Sequence, residues 1–223
     1  MGEASLAPTR IAYVVDVHDR FDAVPRALDA IGPVDVLVVG GDITTFGTPD
    51  DAQRAIELWR RLTPRLLAVA GNMDSPAIDE RLVELGVSCH GRGIVLGDVG
   101  VVGVSAAPLS PLHTPHELPD DELGRRAAAG LADVKGCRVR IFCPHAPPQG
   151  TACDRLRSGE HVGSPALREV IEREEPDVVL CGHIHESRAV DRLGPTQVVN
   201  PGPVSAGHYA IVEVAGTVSV TLD

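Results

Sequence analysis

The sequence predicts an α/β fold, and three observations carry that reading. Short apolar runs rich in β-branched residues alternate with amphipathic segments, most of these runs end in polar residues, and Gly (23) and Pro (18) are frequent enough to supply many tight turns. A chain of 223 residues buries one core without requiring a second domain, and no linker, repeat or low-complexity stretch interrupts it. Residues 1–223 therefore read as a single domain.

The first strand reads IAYVVDVH (11–18), followed by a helix from Phe21 to Ile31 and a second strand, DVLVVGGD (35–42). TPDDAQRAIELWRRL opens with Thr48 before Pro49, carries acids in its first turn and closes with arginines, the pattern that capping and the helix dipole favour. LLAVAGNMD (66–74) repeats strand-then-polar, and SPAIDERLVELG starts a helix with Ser75 as cap, Pro76 at its first position and Gly86 as its stop. From Val87 to Ala106, Gly-punctuated strands without helical period predict antiparallel pairing and the start of a second β layer. APLSPLHTPHELPDDELG is a Pro- and His-rich loop leading into a helix near Asp120 to Leu131. CRVRIFCPHAPP gives a further strand, SPALREVIEREEP a capped helix whose EREE end is solvated, and DVVLCGHIHES a strand running into a loop. From Ala189 onward the chain is β-rich with a turn at AGT. Trp59, with Ile56 and Leu62 at helical spacing, is expected to pack in or against the core.

A formal net charge of −11 repels polyanions, so neither extended nucleic acid nor an anionic membrane is an expected partner, and a small substrate fits better. Carboxylates that ligate metal would be counted as bare anions in that sum. MGEASLAPTR is polar, no apolar run approaches membrane-spanning length and no leader precedes a cleavage site, so the expected location is the cytoplasm. The five cysteines are odd in number and lack CxxC spacing, so neither a thiolate zinc site nor a disulfide framework is indicated. A homodimer is expected only because dimers are common.

The polar residues that follow the apolar runs are Asp16 and His18, Asp42, Asn72 and Asp74, His145, and His183 and His185. These are metal-ligand types, and loops beyond strand C-termini converge on one crevice in open α/β sheets. Mixed nitrogen and oxygen donors suit Mn, Fe, Zn or Ni better than a purely oxygen-liking Mg or Ca site. On a straight strand Asp16 and His18 would share a face and could grip one ion, and His183 and His185 have the same spacing. Cys143, two residues before His145, reads equally well as a ligand or as a buried thiol.

Here the sequence resembles the calcineurin-like metallophosphoesterases, whose signature blocks occur in order: Asp16-Val17-His18, Gly41-Asp42, Gly71-Asn72-Met73-Asp74, His145, and Gly182-His183-Ile184-His185. The resemblance implies a four-layer α/β/β/α sandwich with two mixed β-sheets. It also implies two divalent metal ions, Mn²⁺ foremost, with Fe, Zn, Ni or Mg as alternatives. Asp16, His18 and His185 would hold one ion, Asn72, His145 and His183 the other, and Asp42 would bridge them. Asp16, Asp42 and Asn72 would then also serve catalysis, in which a metal-bridging hydroxide attacks the phosphorus of a small phosphodiester. HAPPQGTACDRLRSGEHVGSPAL and NPGPVSAGHYAIVEV look like a small stand-alone prokaryotic subgroup, which adds Asp154 and His161 as catalytic candidates and Asn200 to Gly202 beside the GHxH block.

One position departs from the pattern. Many members carry His after GN as proton donor, and this chain has Met73, whose thioether cannot donate. His113, His116 and His161 are the replacement candidates, and Asp74 is expected to orient Asn72 or a metal-bound His. The alternatives are a phosphomonoesterase on a small substrate, a nuclease, which the negative charge disfavours, and a non-catalytic scaffold, since a retromer subunit keeps this fold as a binding surface.

Overall fold

The computed structural model describes residues 9–223. Two mixed sheets face each other. The first has five strands and the second six. In the first, β1 (Thr9–Val14), β2 (Val36–Val39) and β3 (Leu66–Ala68) run parallel, while β12 (Ala210–Ala215) returns antiparallel to β1 and pairs with β13 (Thr217–Leu222). In the second, β5 (Val99–Val104), β8 (Val139–Pro144), β9 (Val178–Leu180) and β11 (Thr196–Asn200) are parallel neighbours, edged by antiparallel β4 (Gly93–Leu96) and β10 (Ala189–Leu193).

Strand alternation divides the apolar residues into three buried layers, which is the physical basis of the four-layer sandwich. In β1 Ile11 and Tyr13 face the opposite sheet, where they meet Val101, Ile141 and Leu180, while Ala12 and Val14 face the helices. α1 (Ala23–Ile31), α2 (Pro49–Trp59) and α3 (Pro76–Glu84) cover the first sheet, and α4 (Asp120–Asp133) and α5 (Pro165–Glu174) cover Val102, Phe142 and Val179 of the second. The expected sandwich is thus the observed one. Trp59 is fully buried and its indole N–H donates to Phe21 O at 3.0 Å.

Local signals explain the helix ends, with some adjustments. Thr48 and Asp51 form a reciprocal capping box, Ser164 accepts from Leu167 N, and Gly86 turns the chain after α3 at φ +68°. Ser75 stands at the N-cap without a hydroxyl bond, α1 begins at Ala23, and α2 stops before Arg60 and Arg61. The Pro- and His-rich loop carries two short strands, β6 (Ala107–Pro108) and β7 (Glu117–Leu118), paired in parallel. All five cysteines are free; Cys143 lies in the core between the sheets, where burial pushes its thiol up, so it is a buried thiol and no ligand. Among the described residues no helix is long and apolar enough to cross a membrane.

Candidate metal centre

The signature residues lie just beyond the C-terminal ends of β1, β2, β3, β8 and β9. The loops that carry them are bonded to one another. Asp16 N donates to Gly41 O (3.1 Å), His18 N to Asp42 O (2.9 Å) and Asp19 N to Ile43 O (3.2 Å), zipping the loop after β1 to that after β2. Gly182 N reaches His145 O at 3.0 Å, and His183 N reaches both Asp16 oxygens at 3.2 Å.

These loops are not continuations of the strands. β1 ends at Val14, and Asp16, His18, Asp42 and His183 all have positive φ, between 47° and 66°. Such backbone costs of order 1 kcal/mol per residue and persists where surrounding structure over-determines it. A straight strand is therefore not what brings Asp16 and His18 together. Asp16 and His18 do share a group, with His185, but through a left-handed turn. His183 and His185 do not share one: His183 Nδ1 lies 2.7 Å from Asn72 Oδ1, whereas His185 Nε2 lies 3.1 Å from His18 Nε2.

Asp42 stands between His18 and His145, and with Asp16 and His145 it forms a second group of possible ligands. Its Oδ2 is 3.6 Å from His18 Nε2 and its Oδ1 3.5 Å from His145 Nε2. Close approach is allowed by glycine: a Cβ on Gly71 would fall 2.0 Å from Asp42 Oδ1, and one on Gly182 would fall 2.2 Å from Val15 Cγ2.

The donors fit a cation. His145 Nδ1 donates to Gly40 O at 2.9 Å, and burial holds the ring below the ordinary imidazole pKa, so its Nε2 presents a bare lone pair towards Asn72 Oδ1 at 3.0 Å. Burial likewise lowers His18, and it lowers His183 to about 3 with the help of His145. His185 is raised by the Asp16 carboxylate beside it. Burial pushes Asp16 up, yet His185 at 3.7 Å and the other imidazoles outweigh it, while Asp42 is driven well above its usual range by burial and by the charges of Asp16 and Asp74. Neutral imidazoles beside crowded carboxylates are what a divalent cation requires, and the cation's charge would reverse the penalty on Asp42.

Asp74 is placed differently from the expectation. Its Oδ2 accepts from Ile43 N (3.0 Å) and Gly71 N (2.8 Å), and its Oδ1 from Thr44 N and Thr44 Oγ1 (both 2.8 Å). It fastens the Asp42 loop to the Asn72 loop rather than holding the Asn72 side chain or a histidine. Met73 donates its N–H to Asp42 Oδ1 at 2.8 Å, so the missing histidine position adjoins the centre.

The other candidates separate clearly. His113 is exposed, and His116 is buried, its Nδ1 unpartnered among the described residues and its backbone N–H on Asn72 O at 3.0 Å. Asp154 and His161 are joined at 2.7 Å. Asn200 Nδ2 donates to Ile184 O at 3.0 Å and its Oδ1 accepts from Gly202 N at 2.9 Å, tying the GHxH loop down. A cavity of about 460 Å³ opens beside the centre, lined by His183, Ile184, His185 and Glu186 on one side and Leu156 and Arg157 on the other. A second cavity, of about 520 Å³, borders Arg138, Asp177 and Arg192 at the opposite ends of β8 and β9, away from these donors.

Several residues had no signal in the sequence. Glu117 accepts from Ser110 N and Oγ and from Thr114 N and Oγ1, stapling the loop between β6 and β7. Thr45 Oγ1 lies 2.9 Å from His18 Nδ1. Ser105 donates N–H to His90 Nδ1 and its hydroxyl to Asp79, both at 2.8 Å, behind the Asn72 loop.

The chain matches the calcineurin-like phosphoesterase family over residues 9–187, and it belongs to that family. It is a hydrolase of phosphate esters from a metal-dependent family. It is 32% identical over 209 residues to an uncharacterized protein of Methanocaldococcus jannaschii, covering 90% of this chain and 91% of that protein. Its fold is similar to that of a Thermus thermophilus protein (TM-score 0.72, 18% identity, 96% and 99% of the two chains). It also resembles a dimetal phosphatase from Danio rerio (TM-score 0.61, 11% identity, 96% and 95%).

Proposed function

We propose that the protein hydrolyses a small phosphodiester at a dinuclear centre loaded with Mn²⁺. Asp42 is the observation that carries this reading, because one carboxylate oxygen faces His18 and the other His145. Asp16, His18 and His185 would hold one ion, Asn72, His145 and His183 the other, and Asp42 would contribute to both. Paired cations supply an activated water and neutralise phosphoryl oxygens.

The residues themselves set the rest. Burial and the Gly40 carbonyl keep the His145 ring in the tautomer that offers Nε2. Asp74 holds the Asp42 and Asn72 loops at fixed separation. The Met73 side chain offers no proton to a leaving group beside Asp42, which favours a singly charged diester over a dianionic monoester beside this acidic chain. The name of the zebrafish neighbour supports two metals and keeps the monoesterase as the second reading. One domain is the matching organisation, since C-terminal strands β12 and β13 complete the sheet begun by β1.

The test is turnover of bis(p-nitrophenyl) phosphate and p-nitrophenyl phosphate by metal-stripped protein resupplied with Mn²⁺, with Asp42→Asn as control. Diester turnover that needs both metal and Asp42 is expected. Faster turnover of the monoester would replace the diester reading, and no turnover with any divalent ion would leave the fold as a scaffold.

A further inference from the structure

The segment after β8 brings together a histidine and a carboxylate that the metal centre does not use. Asp154 is fully buried. Its Oδ1 accepts from Thr151 N (2.9 Å) and His161 Nδ1 (2.7 Å), and its Oδ2 from Gly150 N (3.0 Å) and Gly163 N (2.9 Å). With both oxygens occupied by donors, Asp154 holds the loop and the ring and is shielded from substrate. His161 Nδ1 must be the donor in that pair, so the ring orientation is fixed and Nε2 has no partner among the described residues, on a side chain that is 38% exposed.

This segment is fastened to the GHxH loop. Ser187 Oγ donates to Arg155 O (2.7 Å), Arg157 N donates to Glu186 Oε1 (2.7 Å), and the Asn200 amide reaches both Ile184 O (3.0 Å) and Cys153 O (3.4 Å). Arg155 is the antiparallel partner of His161, and the next two residues, Leu156 and Arg157, form the cavity wall opposite His183 and His185. His161 thus stands one rung from the wall of the cavity that adjoins the centre.

Resting on the phosphodiesterase reading, we propose that His161 is the proton donor to the leaving group and Asp154 its positioning residue. The new P–O bond comes from the attacking water, whose proton goes to solvent. The bond to the leaving oxygen breaks with its electron pair, that oxygen takes the Nε2 proton of the His161 imidazolium, leaving the neutral ring with its remaining proton on Nδ1 against Asp154, and solvent restores the Nε2 proton. The choice among the histidines is geometric. His113 is exposed and no group among the described residues holds its ring, and His116 is buried against the Asn72 loop.

The experiment compares leaving groups. Mn²⁺-loaded wild type, His161→Ala and, as control, His113→Ala are assayed on diesters releasing p-nitrophenolate, phenolate and an alkoxide, with thermal melts of each variant. His161→Ala is expected to lose kcat with all three, and the loss should grow by about 10²-fold or more from p-nitrophenolate to alkoxide, as removal of a general acid predicts. His113→Ala should leave the wild-type series unchanged. Asp154→Asn, if folded, should steepen the series in the same direction, and ¹⁵N spectra of metal-free protein should show His161 protonated at Nδ1 in wild type. An equal loss of kcat across the three leaving groups in His161→Ala, or no loss, would overturn the proposal. Absence of p-nitrophenyl diester turnover in the wild type would instead sink the phosphodiesterase reading, and the proton donor with it.

Discussion

Asp74→Asn tests how the loops of the metal centre are held, because the substitution keeps the volume and changes only the hydrogen-bond inventory. Both oxygens of Asp74 face donors only, apart from the Thr44 hydroxyl, which can turn to accept. The least costly amide orientation keeps oxygen on Ile43 N and Gly71 N and places NH₂ at Thr44. Thr44 N–H is then orphaned in a fully buried setting, at about 1–3 kcal/mol, and the remaining bonds lose the assistance of charge, at about 1 kcal/mol each. Relief of the carboxylate's burial penalty, visible as its raised pKa, offsets part of this, leaving a net cost of about 3 kcal/mol. For a chain of this length that corresponds to a melting temperature lowered by roughly 6–12 °C. Because the Asp42 and Asn72 loops are then untied, Mn²⁺ affinity should fall by about 10–100-fold. Melts and equilibrium dialysis measure both quantities. A shift below about 2 °C with unchanged affinity would refute the idea that this carboxylate staples the loops.

Four other substitutions probe separate parts of the account. Gly71→Ala puts a methyl 2.0 Å from Asp42 Oδ1 and 2.3 Å from Asp42 N, so metal binding should be lost. Gly86→Ala, at φ +68° with open space around it, should cost only about 1 kcal/mol in a denaturant titration and leave binding intact. Burial, aided by Arg126, lowers His90 from 6.5 to about 4, so its contribution to stability is complete above pH 6.5 and is lost as pH falls towards 4. His90→Asn keeps an acceptor for Ser105 N and should remove up to about 3 kcal/mol of that pH dependence, read from melts across the interval. The Ser110 and Thr114 donors outweigh burial and bring Glu117 from 4.5 to about 2, so the loop it staples should stay closed above pH 4.5 and open as pH approaches 2. Limited proteolysis of Glu117→Gln at neutral pH should cut between residues 109 and 117, and an uncut loop would contradict that role.

What the sequence made legible follows the range of the interactions involved. Strands and helices were readable because period and capping are local: Thr48 and Asp51 are three residues apart, and Gly86 stops α3 by its own backbone freedom. The donor residues were readable because each sits at the end of an apolar run. Their grouping came from the family resemblance and not from alternation, since His183 and His185 turn to different partners through a left-handed backbone that alternation cannot foresee. Asp74 was recognised as supportive but given the wrong partners, because its bonds to Ile43 and Thr44 cross about thirty residues of sequence. Glu117, Ser105 and Asp79 carry no periodic signal, as such polar side chains acquire their roles only when distant segments fold against each other. The missing proton donor at Met73 was plain from residue type alone, whereas the carboxylate that fixes the His161 ring became visible only in three dimensions.

The central claim is that one carboxylate, Asp42, joins two metal-binding groups. It is tested most directly by counting Mn²⁺ bound per chain and recording the electron paramagnetic resonance spectrum of the loaded protein. Two ions per chain with an exchange-coupled signal, and loss of that coupling in Asp42→Asn, is the expected result. A single ion per chain, or two uncoupled ions whose spectrum is indifferent to Asp42→Asn, would contradict the account.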